Sequence, residues 1–175
     1  MANHELKEKI KSALPSGSIG RYDLLPLFAN AGLFSEIVEH LASSYIGNVD
    51  FVASPEATGW ILGVALAREL GVGFIALRKG GKLPYPEAMI SSMKYFDYSK
   101  TEKSLELRSG SLLPGSRILI ADEWIETGSS VRCCIELLEK EGCVISGLAT
   151  IGIDYNENTK LWVDTNFATF IGRDI

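Results

Sequence analysis

The sequence lacks the features that direct a chain to membranes or nucleic acids. No apolar run approaches the ~20 residues of a transmembrane helix, and the N-terminal stretch MANHELKEKI has no apolar core of the signal-peptide kind. Basic residues are also scarce, because 17 lysines and arginines face 22 aspartates and glutamates, a net charge of −5. We therefore expect a cytoplasmic protein that has neither a membrane nor a nucleic acid as its partner.

Cysteine is equally sparse. The chain has three cysteines and no C-x-x-C pair, so the sequence predicts neither a disulfide framework nor a zinc site. This usage is typical of a reducing compartment. We expect the adjacent Cys133 and Cys134 to pack inside the protein from a helix.

The chain does contain alternating apolar runs with the periods of strands and helices. Its 175 residues, 46% of them hydrophobic, suit a single domain over residues 1–175. The β-α-β alternation predicts an α/β fold with a doubly wound, mainly parallel sheet, in which ligands bind beyond the carboxyl ends of the strands. The predicted strands are Val49–Ser54, Gly73–Arg78, Arg117–Ala121 and Cys143–Ile153, and the predicted helices are Thr58–Leu70, Ser130–Glu141 and one beginning near Phe34.

A long connection separates the second and third predicted strands. Residues 79–115 are rich in glycine, proline and serine, and LELR is their only strand candidate, a weak one. Because connections of this length in a compact domain usually serve function, often as lids, we predict a mobile loop at roughly 85–112.

The stretch RILIADEWIETGSSVR, residues 117–132, places small polar residues between a strand and a helix. Thr127, Gly128, Ser129 and Ser130 could bring unpaired backbone amides and a helix N-terminus to a phosphate group. The alternative is an ordinary helix start with Thr127 or Ser129 as N-cap.

Acidic residues precede this loop. Asp122 and Glu123 could accept hydrogen bonds from ribose hydroxyls or hold Mg²⁺ through water. Glu126 would be repelled by a phosphate about 4 Å away by ~4 kcal/mol, so it should point elsewhere, toward the group being transferred. Trp124 is either a stacking surface for a flat ligand or a core or dimer-contact residue.

Cations follow the second predicted strand in RKGGKLP, residues 78–84. Arg78, Lys79 and Lys82 could clamp a polyanion, although a solvated basic turn is the alternative. SPEATGW, residues 54–60, could add backbone donors at the first strand's end. Together the three strand ends fit a phosphorylated ribose that carries pyrophosphate.

These motifs resemble those of the type I phosphoribosyltransferases, most closely the adenine phosphoribosyltransferase family. ILIADEWIETGSS looks like the family's signature for phosphoribosyl pyrophosphate (PRPP), and PEATGWILGVALARELGVGFIALRKGGKLP is similar to its first active-site loop, helix and basic segment. GRYDLLPLFANAGLF is loosely similar to the family's base-covering hood, here roughly residues 15–33. The resemblance implies transfer of ribose 5-phosphate from PRPP to a purine or related base with Mg²⁺, release of pyrophosphate, and a homodimer.

The resemblance also implies roles for individual residues. Glu126 and Asp97 are the candidate acid–base groups, Asp97 belonging with Tyr98 to the mobile loop. Trp124 would pack against the base, and Mg²⁺ would be held mainly by PRPP, with Asp122 or Glu123 assisting. The remaining assignments are Asp122 and Glu123 to the ribose hydroxyls, Glu126, Thr127, Gly128, Ser129 and Ser130 to the 5-phosphate, and Ala57, Thr58, Arg78, Lys79 and Lys82 to pyrophosphate.

The chain also departs from the family pattern. The acid pair is Asp-Glu where Asp-Asp is usual, and Asp97 is one methylene shorter than the expected glutamate. Glu126, Ser129 and Thr58 replace a small residue, a glycine and an arginine. The alternatives are therefore a non-catalytic PRPP or nucleotide sensor of the same fold and, more weakly, a structural protein whose acids pair with internal lysines.

Overall fold

The described part of the chain, which in this computed structural model comprises residues 2–15, 22–96 and 101–172, contains seven strands, six α-helices and one short 3-10 helix (Glu87–Met89). The strands are β1 (Phe51–Pro55), β2 (Gly73–Lys79), β3 (Ile90–Phe96), β4 (Glu102–Arg108), β5 (Arg117–Ile125), β6 (Val144–Ile153) and β7 (Ala168–Gly172). The helices are α1 (Ala2–Ala13), α2 (Leu25–Ala29), α3 (Ala31–Ala42), α4 (Gly59–Leu70), α5 (Ser129–Lys140) and α6 (Lys160–Asp164).

The strands form one sheet in the order β3-β4-β2-β1-β5-β6-β7. β1 pairs in parallel with both β2 and β5, and β6 continues the parallel set from β5 to β7. β3 and β4 pair antiparallel with each other, and β4 also pairs antiparallel with β2. The predicted doubly wound, mainly parallel sheet is confirmed.

Helices cover both faces of this sheet because the side chains of a strand alternate between faces. Leu119 and Ala121 of β5 point into a core shared with α3 and α4, whereas Ile118 and Ile120 point into a core shared with α5. Cys133 and Cys134 lie buried in this second core, as predicted, and burial raises the pKa of the Cys133 thiol to about 12. None of the described helices is long and apolar enough to cross a membrane.

The segment between β2 and β5 differs from the prediction of a loop. Residues 90–96 and 102–108 form an antiparallel ladder, so most of this segment is a β-hairpin on the sheet edge. Leu105 and Leu107 of β4 alternate inward and pack in the α5 core, which explains why LELR was the only readable strand signal. The mobility of this hairpin stays a prediction, and Asp97 and Tyr98 lie outside the described residues.

Several element boundaries also differ from the prediction. α3 begins at Ala31, three residues before Phe34, because the Asn30 side chain accepts a hydrogen bond from the Leu33 amide at 3.1 Å and caps the helix. β5 continues to Ile125, so Asp122 and Trp124 lie within the strand and not after it. Pairing with β6 explains the extension.

Candidate active site

The carboxyl ends of three neighbouring strands, β2, β1 and β5, open onto a cavity of about 620 Å³. The chain leaves β1 through α4 toward β2 and leaves β5 through α5 toward β6. The order of the sheet therefore reverses between β1 and β5, where α/β folds bind their ligands. The predicted site residues that line the cavity are Ala57, Thr58, Lys79, Asp122, Glu123, Trp124, Glu126, Thr127, Gly128, Ser129 and Ser130.

The predicted phosphate loop forms the start of α5. Its N-cap is Gly128, with a left-handed φ of 77° and no side chain to cap the helix. The helix therefore begins at Ser129, and the alternative of a Thr127 or Ser129 N-cap is wrong. The Ser129 amide makes only a 3.4 Å contact with Thr127 Oγ1. The amides and the dipole of this helix end thus face the cavity, an arrangement that favours an anion.

Two asparagines that follow β6 hold this loop by hydrogen bonds. Asn156 Nδ2 donates to the Glu126 carbonyl at 2.8 Å, and Asn158 Nδ2 donates to the Thr127 carbonyl at 3.2 Å. Both bonds use backbone carbonyls of the loop, so they occupy none of its backbone amides. These asparagines belong to none of the motifs described above.

A second helix N-terminus borders the same cavity. α4 starts after Thr58, whose side chain makes no capping hydrogen bond, and the preceding Glu56–Ala57 peptide is cis. A Cβ atom on Gly59 would lie 2.8 Å from Asp122 Oδ1. Glycine at this position therefore lets the Asp122 carboxyl approach the start of α4.

The acid pair combines burial with crowding. Asp122 is only 8% exposed, and burial, reinforced by the adjacent Glu123 carboxylate, raises its pKa well above the ordinary value near 3.8. Hydrogen bonds from the Glu123 amide and the Ser130 hydroxyl act in the opposite direction. Glu123 Oε2 is buried without a hydrogen-bond partner in the described part of the chain. An unsatisfied buried carboxylate oxygen is costly, so this pair is suited to a ligand that donates hydrogen bonds.

Trp124 lies at the other end of the cavity. Its indole rests on Gly152, where any Cβ atom would overlap the ring, and its Nε1 donates to Asp154 Oδ1 at 2.9 Å. The Tyr22 ring packs against it with centroids 4.4 Å apart. Trp124 is therefore a cavity-lining residue and not a member of the fully buried core.

The residues of the predicted cationic clamp share an internal acid, Glu56, that was not among the predicted site residues. Glu56 accepts hydrogen bonds from Arg78 Nε at 3.0 Å, from the Lys79 amide at 3.0 Å and from Lys82 Nζ at 3.3 Å. Burial opposes ionisation of Glu56, but these three donors outweigh it and hold its pKa below the ordinary value. Lys79 lines the cavity, whereas Arg78 and Lys82 are directed onto Glu56 and do not line it.

The cavity is also lined by residues that no sequence motif indicated. Tyr95 and Lys103 face each other across the β3–β4 hairpin and reach the cavity from its edge. Asp154 reaches it from the end of β6. Only the tertiary arrangement brings these three residues to the predicted strand ends.

Two helix N-termini without side-chain caps, an acid pair and an aromatic ring therefore line one cavity at the sheet reversal. This combination suits a ligand that has an anionic group, hydroxyl groups and a flat group. The family model for the phosphoribosyl transferase domain matches residues 25–170. The chain therefore belongs to the phosphoribosyltransferase family.

Its relatives in that family are adenine phosphoribosyltransferases. The chain is 35% identical to the enzyme of Leuconostoc citreum (strain KM20) over 138 residues, which are 78% of this chain and 76% of the relative. The crystal structure of the Thermoanaerobacter pseudethanolicus enzyme is similar, with a TM-score of 0.82, 29% identity and coverage of 95% of this chain and 98% of that one. The Saccharomyces cerevisiae enzyme, solved with adenine and an imino-altritol bisphosphate, has a TM-score of 0.78, 25% identity and coverage of 97% and 99%.

Proposed function

We propose that this phosphoribosyltransferase uses adenine as its base, in the salvage of purine nucleotides. The chain transfers ribose 5-phosphate from PRPP to a purine or related base and releases pyrophosphate, as its family membership and relatives support. The observation that carries the proposal is the junction of the α5 N-terminus and the acid pair with Trp124 in one cavity. The cavity brings backbone amides and an aromatic ring together, so it offers contacts to both the phosphate and the base of a nucleotide.

The proposed roles follow the chemistry of each part of the cavity. The amides and hydroxyls of residues 126–130 bind the 5-phosphate, and Asp122 and Glu123 hold the ribose hydroxyls. Ala57, Thr58 and Lys79 bind the pyrophosphate at the α4 N-terminus, with Arg78 and Lys82 held beside them by Glu56. Glycosyl transfer passes through an oxocarbenium-like transition state. Alignment of the base and stabilisation of the departing charge are therefore the main tasks of these residues.

Glu126 and Asp97 remain the proposed acid–base groups. Glu126 lines the cavity between the phosphate loop and Trp124, where a carboxylate can accept a proton from the incoming base. The Glu126 carboxylate itself should not contact the 5-phosphate, because the two negative charges repel each other. Asp97 is retained from the family resemblance alone.

Mg²⁺ is the proposed cofactor. The described residues contain no group of three or more His, Cys, Asp and Glu side chains arranged to hold a metal. Such a site fits an ion bound mainly through PRPP oxygens, with Asp122 or the unpartnered Glu123 Oε2 reaching it directly or through water. The ion would supply positive charge for the pyrophosphate oxygens. We further propose a cytoplasmic homodimer, by analogy with the family.

Measurement of pyrophosphate release tests the function. With PRPP and Mg²⁺, adenine should be the best substrate of a panel that also contains hypoxanthine and guanine. Faster turnover of an oxo-purine would contradict the proposed base. PRPP binding by calorimetry without turnover of any base would instead identify a nucleotide sensor.

A further inference from the structure

The Trp124 indole is fixed on one face and at one edge. Gly152 of β6 lies directly against the ring, since a Cβ atom there would overlap three of its carbons. The hydrogen bond from Nε1 to Asp154 Oδ1, 2.9 Å long, holds the orientation of the ring. Trp124 is also part of the β5–β6 ladder, where it pairs with Gly152. Movement of the indole would break the hydrogen bond to Asp154 and the contact with Gly152.

The other face of the indole is covered by Tyr22. The ring centroids are 4.4 Å apart and the planes are tilted by 41°. A flat base between two rings needs a contact of at least ~3.5 Å on each side, or about 7 Å between the outer rings. A base therefore cannot stack on Trp124 while Tyr22 stays where it is.

Tyr22 is the partner that can yield. Its side chain is 41% exposed, and it lies in residues 22–24, which belong to no helix or strand and precede α2. Its ring lines the same cavity as Trp124 and the phosphate loop. Displacement of Tyr22 costs one aromatic contact, whereas displacement of the Trp124 indole would also break its hydrogen bond to Asp154 and its contact with Gly152.

We propose that Tyr22 occupies the base position on Trp124 until a base replaces it, so that the ligand-free protein occludes its own base site. The inference rests on the proposed function, because it assigns the base to the Trp124 face. A base must therefore displace an internal aromatic ring, which lowers the apparent affinity of the site for every base by the same factor.

Substitution of Tyr22 tests whether its ring blocks the base site or instead contacts the bound base. In Tyr22→Ala the KM for adenine should fall by about threefold to tenfold, the range expected for loss of one aromatic pair. The KM for PRPP should stay unchanged. Tyr22→Phe keeps the ring and should behave as the wild type. Tyr155→Ala is the matched control, because Tyr155 is 51% exposed and lies outside the cavity lining with its hydroxyl on Asp164.

Calorimetric binding of AMP provides a readout independent of turnover. Tyr22→Ala should bind AMP more tightly than the wild type by the same factor, and Tyr155→Ala should not. Unchanged or weaker binding of AMP by Tyr22→Ala, with normal binding by the wild type, would overturn the inference alone. Failure of the wild type to bind AMP would overturn the proposed function, and the inference with it.

Discussion

Asp122 shows how binding and folding make opposite demands on one residue. Its carboxyl lies at the end of β5 beside the start of α4, almost without contact with solvent. Burial and the Glu123 carboxylate disfavour its charged form, so its folded-state pKa is raised. A ribose that donates hydrogen bonds would relieve this cost, but the ligand-free protein bears it.

Substitution of this carboxyl should therefore stabilise the protein. A raised folded-state pKa means that the native state binds more protons than the unfolded state, so stability is greatest below the ordinary pKa near 3.8 and falls as pH rises toward the folded-state value. We expect Asp122→Asn to raise the free energy of unfolding at pH 7 by about 0.5–2 kcal/mol, as is common when a functional site is relieved. Urea denaturation from pH 4 to 8 measures it, and PRPP turnover should be lost.

Asp50→Asn is the control of opposite sign. Hydrogen bonds from Arg117 lower the pKa of Asp50 to about 2. Its contribution is therefore present above pH ~3.8 and is lost as pH falls through about 2. The Asp50→Asn protein should be less stable than the wild type at pH 7. Destabilisation by both substitutions at pH 7 would show that Asp122 is not strained in the native state.

Glu56 offers a second test at the scale of single residues. It joins the β1–α4 loop to the end of β2 through Arg78, Lys82 and the Lys79 amide. In Glu56→Gln the charge that holds both side chains is lost, and charge-assisted hydrogen bonds are worth ~1.5–3 kcal/mol. We expect the KM for PRPP to rise by about threefold to tenfold, with the KM for adenine unchanged, in steady-state assays.

Glu36→Gln is the matched control for Glu56→Gln. It removes an exposed ion pair with Lys9, 2.8 Å long, whose two residues do not line the cavity, and it should change neither KM. A lower KM for PRPP in Glu56→Gln would mean that Glu56 competes with pyrophosphate for the cations and does not position them.

At the scale of elements, the sequence predicted the centre of the sheet better than its edges. β1, β2, β5, β6, α4 and α5 have strong apolar periods, and each was found with small shifts of its ends. β3 was missed because ISSMKYF does not alternate between buried and exposed positions. α1 was missed because, among the side chains that the structure describes there, Leu6 and Ile10 are the buried ones in an otherwise polar helix.

The site was predictable where one strand end carried its own motif. The residues at the ends of β1, β2 and β5 were found because small residues, acids and cations follow each strand. Their union in one cavity depends on the strand order, which no local pattern encodes. Glu56 was missed because the cations were interpreted as ligands for an anion and not for an internal acid. Asp154 and Asn156 were missed because their roles arise only through Trp124 and the phosphate loop.

The start of α5 provides a test at the scale of an element. A Cβ atom at Gly128 would meet Trp162 Cζ3 at 3.0 Å and Thr159 Cγ2 at 3.2 Å, in a backbone with φ of 77°. We expect Gly128→Ala to cost about 1–2 kcal/mol in stability, the penalty of a left-handed conformation. Because the loop must also shift, the KM for PRPP should rise at least tenfold.

Gly71→Ala separates strain from binding. Gly71 ends α4 with φ of 68°, and a Cβ atom there would meet nothing within 4 Å. It should cost a similar free energy of unfolding in urea but leave the KM for PRPP unchanged. A normal KM in Gly128→Ala would show that this helix end does not bind the 5-phosphate.

At the scale of the whole molecule, an acidic protein receives a strongly anionic substrate. The chain has a net charge of −5, and its cavity does not compensate for it. Among the described lining residues, the carboxyl groups are those of Asp23, Glu56, Asp122, Glu123, Glu126 and Asp154, and the cations are those of Lys79 and Lys103. The backbone amides of two helix ends offset only part of this charge.

PRPP binding should therefore depend on Mg²⁺ far more than AMP binding does. Without the ion, pyrophosphate would meet six carboxyl groups and two lysines, and like charges that are partly buried repel strongly. A ligand at 100 times its Kd stabilises by ~2.7 kcal/mol, which for a chain of this size shifts Tm by roughly 5–10 °C. We expect such a shift with PRPP and Mg²⁺, and its loss when EDTA replaces the ion. AMP, which lacks pyrophosphate, serves as the control and should keep most of its Tm shift in EDTA.

An equal Tm shift by PRPP with and without Mg²⁺ would show that the protein's own groups neutralise the pyrophosphate. The clamp would then have to include Arg78 and Lys82 released from Glu56.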